Sequence, residues 1–221
     1  MSRTAASRIV GVLAVLAVGT GVTVATAGTA VALPALTGTV TCSTFAGKGT
    51  FHPKLLVTGA APQLKIKFAG TLTNCSGTPY VGSTGVASNV TGGHVKGVGK
   101  FTKLPAPATN VNRCSNFQGA TPVDSVAVIK MVVHWTMSPS LAVAPSTVVY
   151  GGTYSAALLP SGGPPFTTMD LDLGQAAATT TTVTGSYAGS AAQNTAMHIN
   201  VASAGCPVGV PFAFPGGTMT F

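Results

Sequence analysis

The chain has 221 residues and a net charge of +8, yet only 6% of its residues are charged against 46% hydrophobic. An ordinary globular chain has about a quarter of its residues charged, so this surface must be wetted by neutral groups, and Thr, Ser, Asn and Gly supply them. Glu is absent and the charged helix formers Lys and Arg are few; β-branched Thr and Val favour extended chain, which argues against a helical bundle and for an all-β protein.

Residues 1–32 read as a helical signal peptide. Arg3 and Arg8 give a positive start, Ile9 to Val18 is apolar, and small residues follow. Cleavage falls after Ala27 or after Ala32, and we take Ala32. Gly19, Thr20 and Gly21 interrupt the apolar run, so no stable transmembrane span remains after removal of the leader. The mature chain, 33–221, is then expected to be secreted or held at the extracellular cell surface, where thiols oxidise.

From Cys42 to Cys75 the chain holds a strand of strict alternation. Leu64, Ile66 and Phe68 point to one face, and Gln63, Lys65 and Lys67 to the other. Four cysteines in an exported chain suggest two disulfides. Cys42 with Cys75 closes the shortest plausible loop and leaves Cys114 for Cys206, with free or differently paired thiols as the competing reading. Gly93 to Phe101 is extended with little side-chain bulk, and glycine in a strand marks a bulge or a close backbone approach. Pro105 and Pro107 punctuate a connector, which makes 104–110 the place for a subdomain boundary within a single β domain. Cys114 to Gly119 repeats the Cys-Ser-x-Phe-x-Gly of Cys42 to Gly47.

Ser125 to Met137 is the strongest core element. Ala127, Ile129, Met131, Val133, Trp135 and Met137 share one face, and Val126, Val128, Lys130, Val132, His134 and Thr136 the other. Such a strand belongs in the middle of a sheet, with Trp135 as core filler. Val148 to Tyr154 reads as a hairpin turning at Gly151-Gly152. Met169 to Leu173 and Met197 to Val201 alternate, and Gly217 to Phe221 ends the chain as a short strand. Many short strands with regular turns indicate an antiparallel β-sandwich or a partly closed barrel.

Little in the chain points to catalysis. Asp170 and Asp172 stand about 7 Å apart on one strand face, within the range of paired carboxylates in glycoside hydrolysis, but two acids on one strand more often make an exposed polar face. His52, His94, His134 and His198 have no helical or close-strand ligand spacing, so no metal site is expected. Cys-x-x-Cys, the Gly-x-Ser-x-Gly elbow and the phosphate-cradling glycine spacings are absent, so no cofactor is expected. Eight cations, from Lys48 to Arg113, precede the first acid, Asp124. A basic first half suits an anionic polymer; isolated lysines that keep strand faces soluble are the plainer reading. Bases would need aromatic and Arg side chains interleaved, and these are missing, which excludes nucleic acid.

Several landmarks span most of the mature chain: Cys42 with Gly49-Thr50-Phe51-His52-Pro53, Gly70-Thr71-Leu72-Thr73-Asn74-Cys75, Gly92-Gly93 with Gly97, Cys114, the strand ending in Trp135, Gly185-Ser186-Tyr187-Ala188-Gly189, Cys206, and Gly217-Thr218-Met219-Thr220-Phe221. Their order resembles a loosely defined group of small exported proteins of high-GC Gram-positive bacteria, to which no established function attaches. The resemblance implies export and a disulfide-stapled β fold, and transfers no catalytic residue. The sequence thus leads to a non-enzymatic structural or binding protein of the cell surface or envelope, with cell-wall glycan or another envelope component as partner. An envelope pore or β-barrel protein is the alternative, and a hydrolase using Asp170 and Asp172 stands behind both.

Overall fold

A computed structural model describes residues 32–56, 58–103, 110–113, 123–156, 168–170, 179–195, 198–200, 212–214 and 216–221; within its strands, side chains are described except at 103, 123–127, 152–156, 168–170, 179, 194–195, 198–200 and 212–214. The described residues form twelve strands: β1 Val40–His52, β2 Leu64–Gly77, β3 Tyr80–Val81, β4 Ala87–Lys103, β5 Val123–Ser138, β6 Ser146–Ala156, β7 Thr168–Asp170, β8 Thr179–Gly185, β9 Gln193–Thr195, β10 His198–Asn200, β11 Phe212–Phe214 and β12 Thr218–Thr220. Hydrogen-bonded neighbours run β7-β10-β11-β1-β2-β4-β5-β6-β8, with β12 also beside β1, β9 beside β12 and β3 beside β4. Every strand pair is antiparallel. Of the two arrangements open to such strands, the chain takes the curled one: a single antiparallel sheet, a half-barrel, rather than two sheets face to face.

The alternation of β2 is as expected. Leu64, Ile66, Phe68 and Leu72 are buried, and Lys65, Lys67, Ala69 and Thr71 are exposed. Beyond Val90, its partner β4 supplies only Val95 and Phe101 to the inner face, because Gly93, Gly97 and Gly99 hold the other inward positions. Absence of a side chain is what the packing needs. A Cβ at Gly97 would run into the far edge of the Phe68 ring, and one at Gly99 would lie 2.6 Å from Ile66 Cγ2 and 2.9 Å from Ile129 Cγ1. Large side chains of β2 and β5 close over the glycines of β4, the close approach that glycine in a strand permits.

Strand β5 sits between β4 and β6, with Ile129, Met131, Val133, Trp135 and Met137 in the core. Its other face is not covered: Val128 is 52% exposed, and Lys130, His134 and Thr136 are also in solvent. The strands that flank the 104–110 connector are paired with each other, from Asn89 opposite Ser138 to Lys103 opposite Ser125. Residues 32–221 form one compact unit.

Two local expectations need correction. Val148 to Tyr154 is no hairpin: β6 runs straight through Gly151 and Gly152, which pair with Val128 and Ala127 on one side and with Thr180 and Thr179 on the other. Ladders on both sides hold the glycines extended, where an isolated Gly-Gly would turn. Alternation also fails near the disulfide. Asn74 adopts φ 52°, a conformation Asn tolerates better than most residues, and beyond it the inward face passes from Leu72 to Cys75. Opposite, β1 makes the same change between Cys42 and Phe45, both fully buried. Cys42 and Cys75 are thereby brought opposite each other and are bonded. Cys114 and Cys206, the second expected pair, lie outside the described residues, as do the second copy of the Cys-Ser-x-Phe-x-Gly repeat, residues 1–31 of the expected 1–32 leader, and Asp172.

A polar thread runs through one end of the core. Trp135 Nε1 donates to Ser146 Oγ at 2.9 Å, and Ser146 Oγ donates to the Ser186 carbonyl at 2.6 Å. Ser186 Oγ donates to the Ala144 carbonyl at 2.6 Å and accepts from Leu36 N at 3.0 Å. Around it, Trp135 packs edge-on against Tyr187 and Phe221, with centroids 5.1 and 4.9 Å away. The turn that carries Ser186 is left-handed at Gly185, Tyr187 and Gly189, and a side chain at Gly185 would strike the Pro145 carbonyl. Elsewhere, buried Asn112 fastens the β1–β2 loop: its side chain accepts from Ala61 N at 2.8 Å and donates to the Lys54 carbonyl at 2.9 Å.

Candidate functional site

Because strands alternate, the residues that leave the core assemble a second surface. Register lays them out in rows across the sheet. One row reads His52, Lys65, Lys100, Val128, Gly151 and Thr180; the next reads Thr50, Lys67, Val98, Lys130, Val149 and Thr182; the third reads Lys48, Ala69, Lys96, Val132, Thr147 and Thr184. A fourth holds Ala46, Thr71, His94 and His134. Lys48, Lys65, Lys67, Lys96, Lys100 and Lys130 are all exposed, as are His52, His94 and His134. Strands are about 4.8 Å apart, and alternate residues along one strand about 6.8 Å, so the six ammonium groups spring from a grid of that mesh.

Among the described residues nothing on this face neutralises them. Its described side chains are Lys, His, Thr, Ala and Val; the side chains of Asp124 and Asp170 are not described. Lys65 and Lys100 are direct cross-strand partners, and like charges placed opposite each other are destabilising. A fold that needed lysine only for solubility could scatter it; here the charges share one face and one pair is adjacent. Val98 and Val128, each about half exposed, lie among the lysines, and the Thr residues of β8 line the edge with neutral hydroxyls.

The sequence-derived site residues fare differently. Asp170 occupies a register position opposite His198, on β7 and β10. His52 stands opposite Lys65. His94 and His134 are brought together as direct partners, an adjacency that spacing along the chain does not reveal, since it depends on the β4–β5 register. Among the described residues no group of three or more His, Cys, Asp and Glu side chains converges.

Two open clefts lie away from the basic face. The larger, about 510 Å³, is bounded by residues 35–39, by the turn from Gly185 to Ala191 and by Thr220 and Phe221. The smaller, about 330 Å³, lies between Tyr80 to Ser88 and Pro139 to Leu141. Neither is lined by an Asp, Glu, His, Lys or Arg side chain. Burial pushes the Tyr187 phenol beside the larger cleft up to about 12, so it stays protonated and is no base at neutral pH. Among the described residues, no helix is long and apolar enough to cross a membrane. Comparison of the chain with protein-family models, with curated proteins and with solved structures finds no match.

Proposed function

We propose that this is an exported, non-catalytic protein of the cell envelope whose basic outer sheet face binds an anionic glycopolymer. The observation that carries the reading is the gathering of six lysines on one face, including the opposed Lys65 and Lys100. An anionic polymer lying across the strands relieves that repulsion, and the interleaved Thr hydroxyls and exposed Val methyls suit sugar or polyol units between the charges. An open sheet face of this kind favours many weak, salt-sensitive contacts over capture of a small molecule.

Export belongs to the same reading. Residues 1–32 act as a cleaved leader, Cys114 and Cys206 form a second bridge, and the chain shares its origin with the exported group its landmarks resemble. The Cys42–Cys75 disulfide is compatible with an oxidising compartment. Against the pore alternative, the inner face is apolar and the outer face carries lysine, the reverse of a membrane barrel, where apolar residues face lipid.

The test is binding of the purified protein to immobilised poly(glycerol phosphate) and to neutral dextran of similar length. Retention on the phosphate polymer alone, lost in Lys67→Glu/Lys130→Glu, supports the reading. Equal retention on both polymers, or none on either, ends it.

A further inference from the structure

We propose that His94 and His134 form a two-imidazole site for a borderline divalent transition metal of the nickel, copper and zinc class. The two histidines are direct partners in the β4–β5 ladder. Their neighbours along each strand, Gly93 and Val95, Val133 and Trp135, are buried, so both imidazoles must leave from the outer face, and both are exposed. Directly opposed residues have Cβ atoms about 4.5–5.5 Å apart. Imidazole nitrogens bind zinc at about 2.0–2.1 Å, so two nitrogens sharing one ion need to lie only about 3 Å apart, a convergence that side chains on such Cβ atoms can reach by rotation alone.

The surroundings leave the rest of the coordination sphere open. Thr71 stands across β2 from His94, and Gly92 and Thr136 pair in the next row; these residues are small and uncharged. With no third His, Cys, Asp or Glu converging among the described residues, the remaining positions go to water or to an anionic group of a bound molecule. Lys96, two residues along β4, repels a dication and limits affinity. The site therefore selects ions that bind nitrogen strongly, in the order expected for first-row metals, and discriminates against magnesium and calcium, which take oxygen ligands. Position within the sheet favours it further. His94 is held on both sides, by Thr71 of β2 and by His134 of β5, while His134 stands one residue beyond the end of the β5–β6 ladder at Val133 and Ser146, so the pair is fixed by the β4–β5 ladder itself, which limits the ordering left to occur on binding.

His52 supplies an internal control. It shares the face and the exposure but stands opposite Lys65 rather than another imidazole, so it offers one nitrogen and a repelling ammonium. The metal site does not depend on the polymer reading, and either can fail alone.

The experiment is calorimetric titration of the purified full chain with nickel and, separately, magnesium, followed by amide NMR with copper(II) as a paramagnetic probe. Nickel is expected to bind one site and magnesium none. His94→Ala and His134→Ala should each weaken nickel by at least about tenfold, the loss of one of two ligands, corresponding to about 1.4 kcal/mol. His52→Ala should bind as the parent does. Copper broadening should centre on the amides around His94 and His134. His94→Gln guards against a folding defect, and with an unchanged metal-free urea midpoint it should show the same weakening. Absence of nickel binding by the parent at millimolar concentration overturns the proposal, as does full binding by either His→Ala variant or broadening centred away from β4 and β5.

Discussion

Replacing Gly97 by Ala tests the close packing of β2 against β4. The new methyl would meet three carbons of the Phe68 ring, Cζ, Cε1 and Cε2, all well inside van der Waals contact. Phe68 is only 5% exposed and belongs to the core, so its ring cannot move aside without displacing other core side chains. Overpacking of this kind costs about 1–3 kcal/mol, while the reduced freedom of the unfolded chain returns about 0.4–1 kcal/mol where the backbone suits Ala. We expect a net loss of about 1–2 kcal/mol in urea unfolding, and a fall in Tm of about 2–8 °C for a domain of this size. Phe68→Leu removes the ring atoms that clash. In the double variant the loss should therefore be smaller than the sum of the single losses by about 1 kcal/mol, inside the range seen for residues in contact. A neutral Gly97→Ala, or strict additivity with Phe68→Leu, would refute the close approach of β2 over the glycines of β4.

Three other outcomes are expected. Cys42→Ala/Cys75→Ala opens a crosslink of sequence separation 33 and should lower stability by about 3.7 kcal/mol on the chain-entropy model, read from urea unfolding in which m rises because the unfolded chain is no longer held compact. Ser146→Ala leaves both the Trp135 indole N–H and the Ser186 carbonyl without their partner, and should lose about 2–3 kcal/mol; fluorescence of the sole Trp reports the change in its surroundings. The Tyr187 hydroxyl is buried with no hydrogen-bond partner, so Tyr187→Phe should be near neutral at pH 7. The unfolded phenol ionises near 10 and the folded one at about 12, so the unfolded state holds fewer protons in between and stability falls as pH rises from 10 to 12. The phenol accounts for about 2–3 kcal/mol of that fall, and Tyr187→Phe should flatten the alkaline limb by as much.

Parity made the strand interiors legible. Leu64 to Phe68 and Ile129 to Met137 sort themselves into faces because side chains alternate strictly along extended chain, and the Cys42–Cys75 pairing followed from the short loop between them. What depends on register was not legible. The lysines of β1, β2, β4 and β5 are separate alternations in the sequence, and only pairing turns them into one grid; the meeting of His94 and His134, 40 positions apart, has no local signal at all. Two failures share a physical cause. Gly151-Gly152 reads as a turn until ladders on both sides hold it straight, and Asn74 looks like any strand residue until its left-handed backbone turns the cysteine inward. The roles of Asn112, Ser146 and Ser186 have no signal in the sequence, because a lone polar residue shows its purpose only when the carbonyls and amides it satisfies are folded around it.

The central claim, that the lysine grid binds an anionic polymer, is tested most directly by the salt dependence of binding to poly(glycerol phosphate). By analogy with counterion release from other polyanions, log affinity should fall linearly with log salt, and each of Lys67→Gln and Lys130→Gln should reduce the slope by roughly one. Lys54→Gln, in the β1–β2 loop, should leave the slope alone. A slope near zero, or one unchanged by either substitution on the grid, would contradict the account.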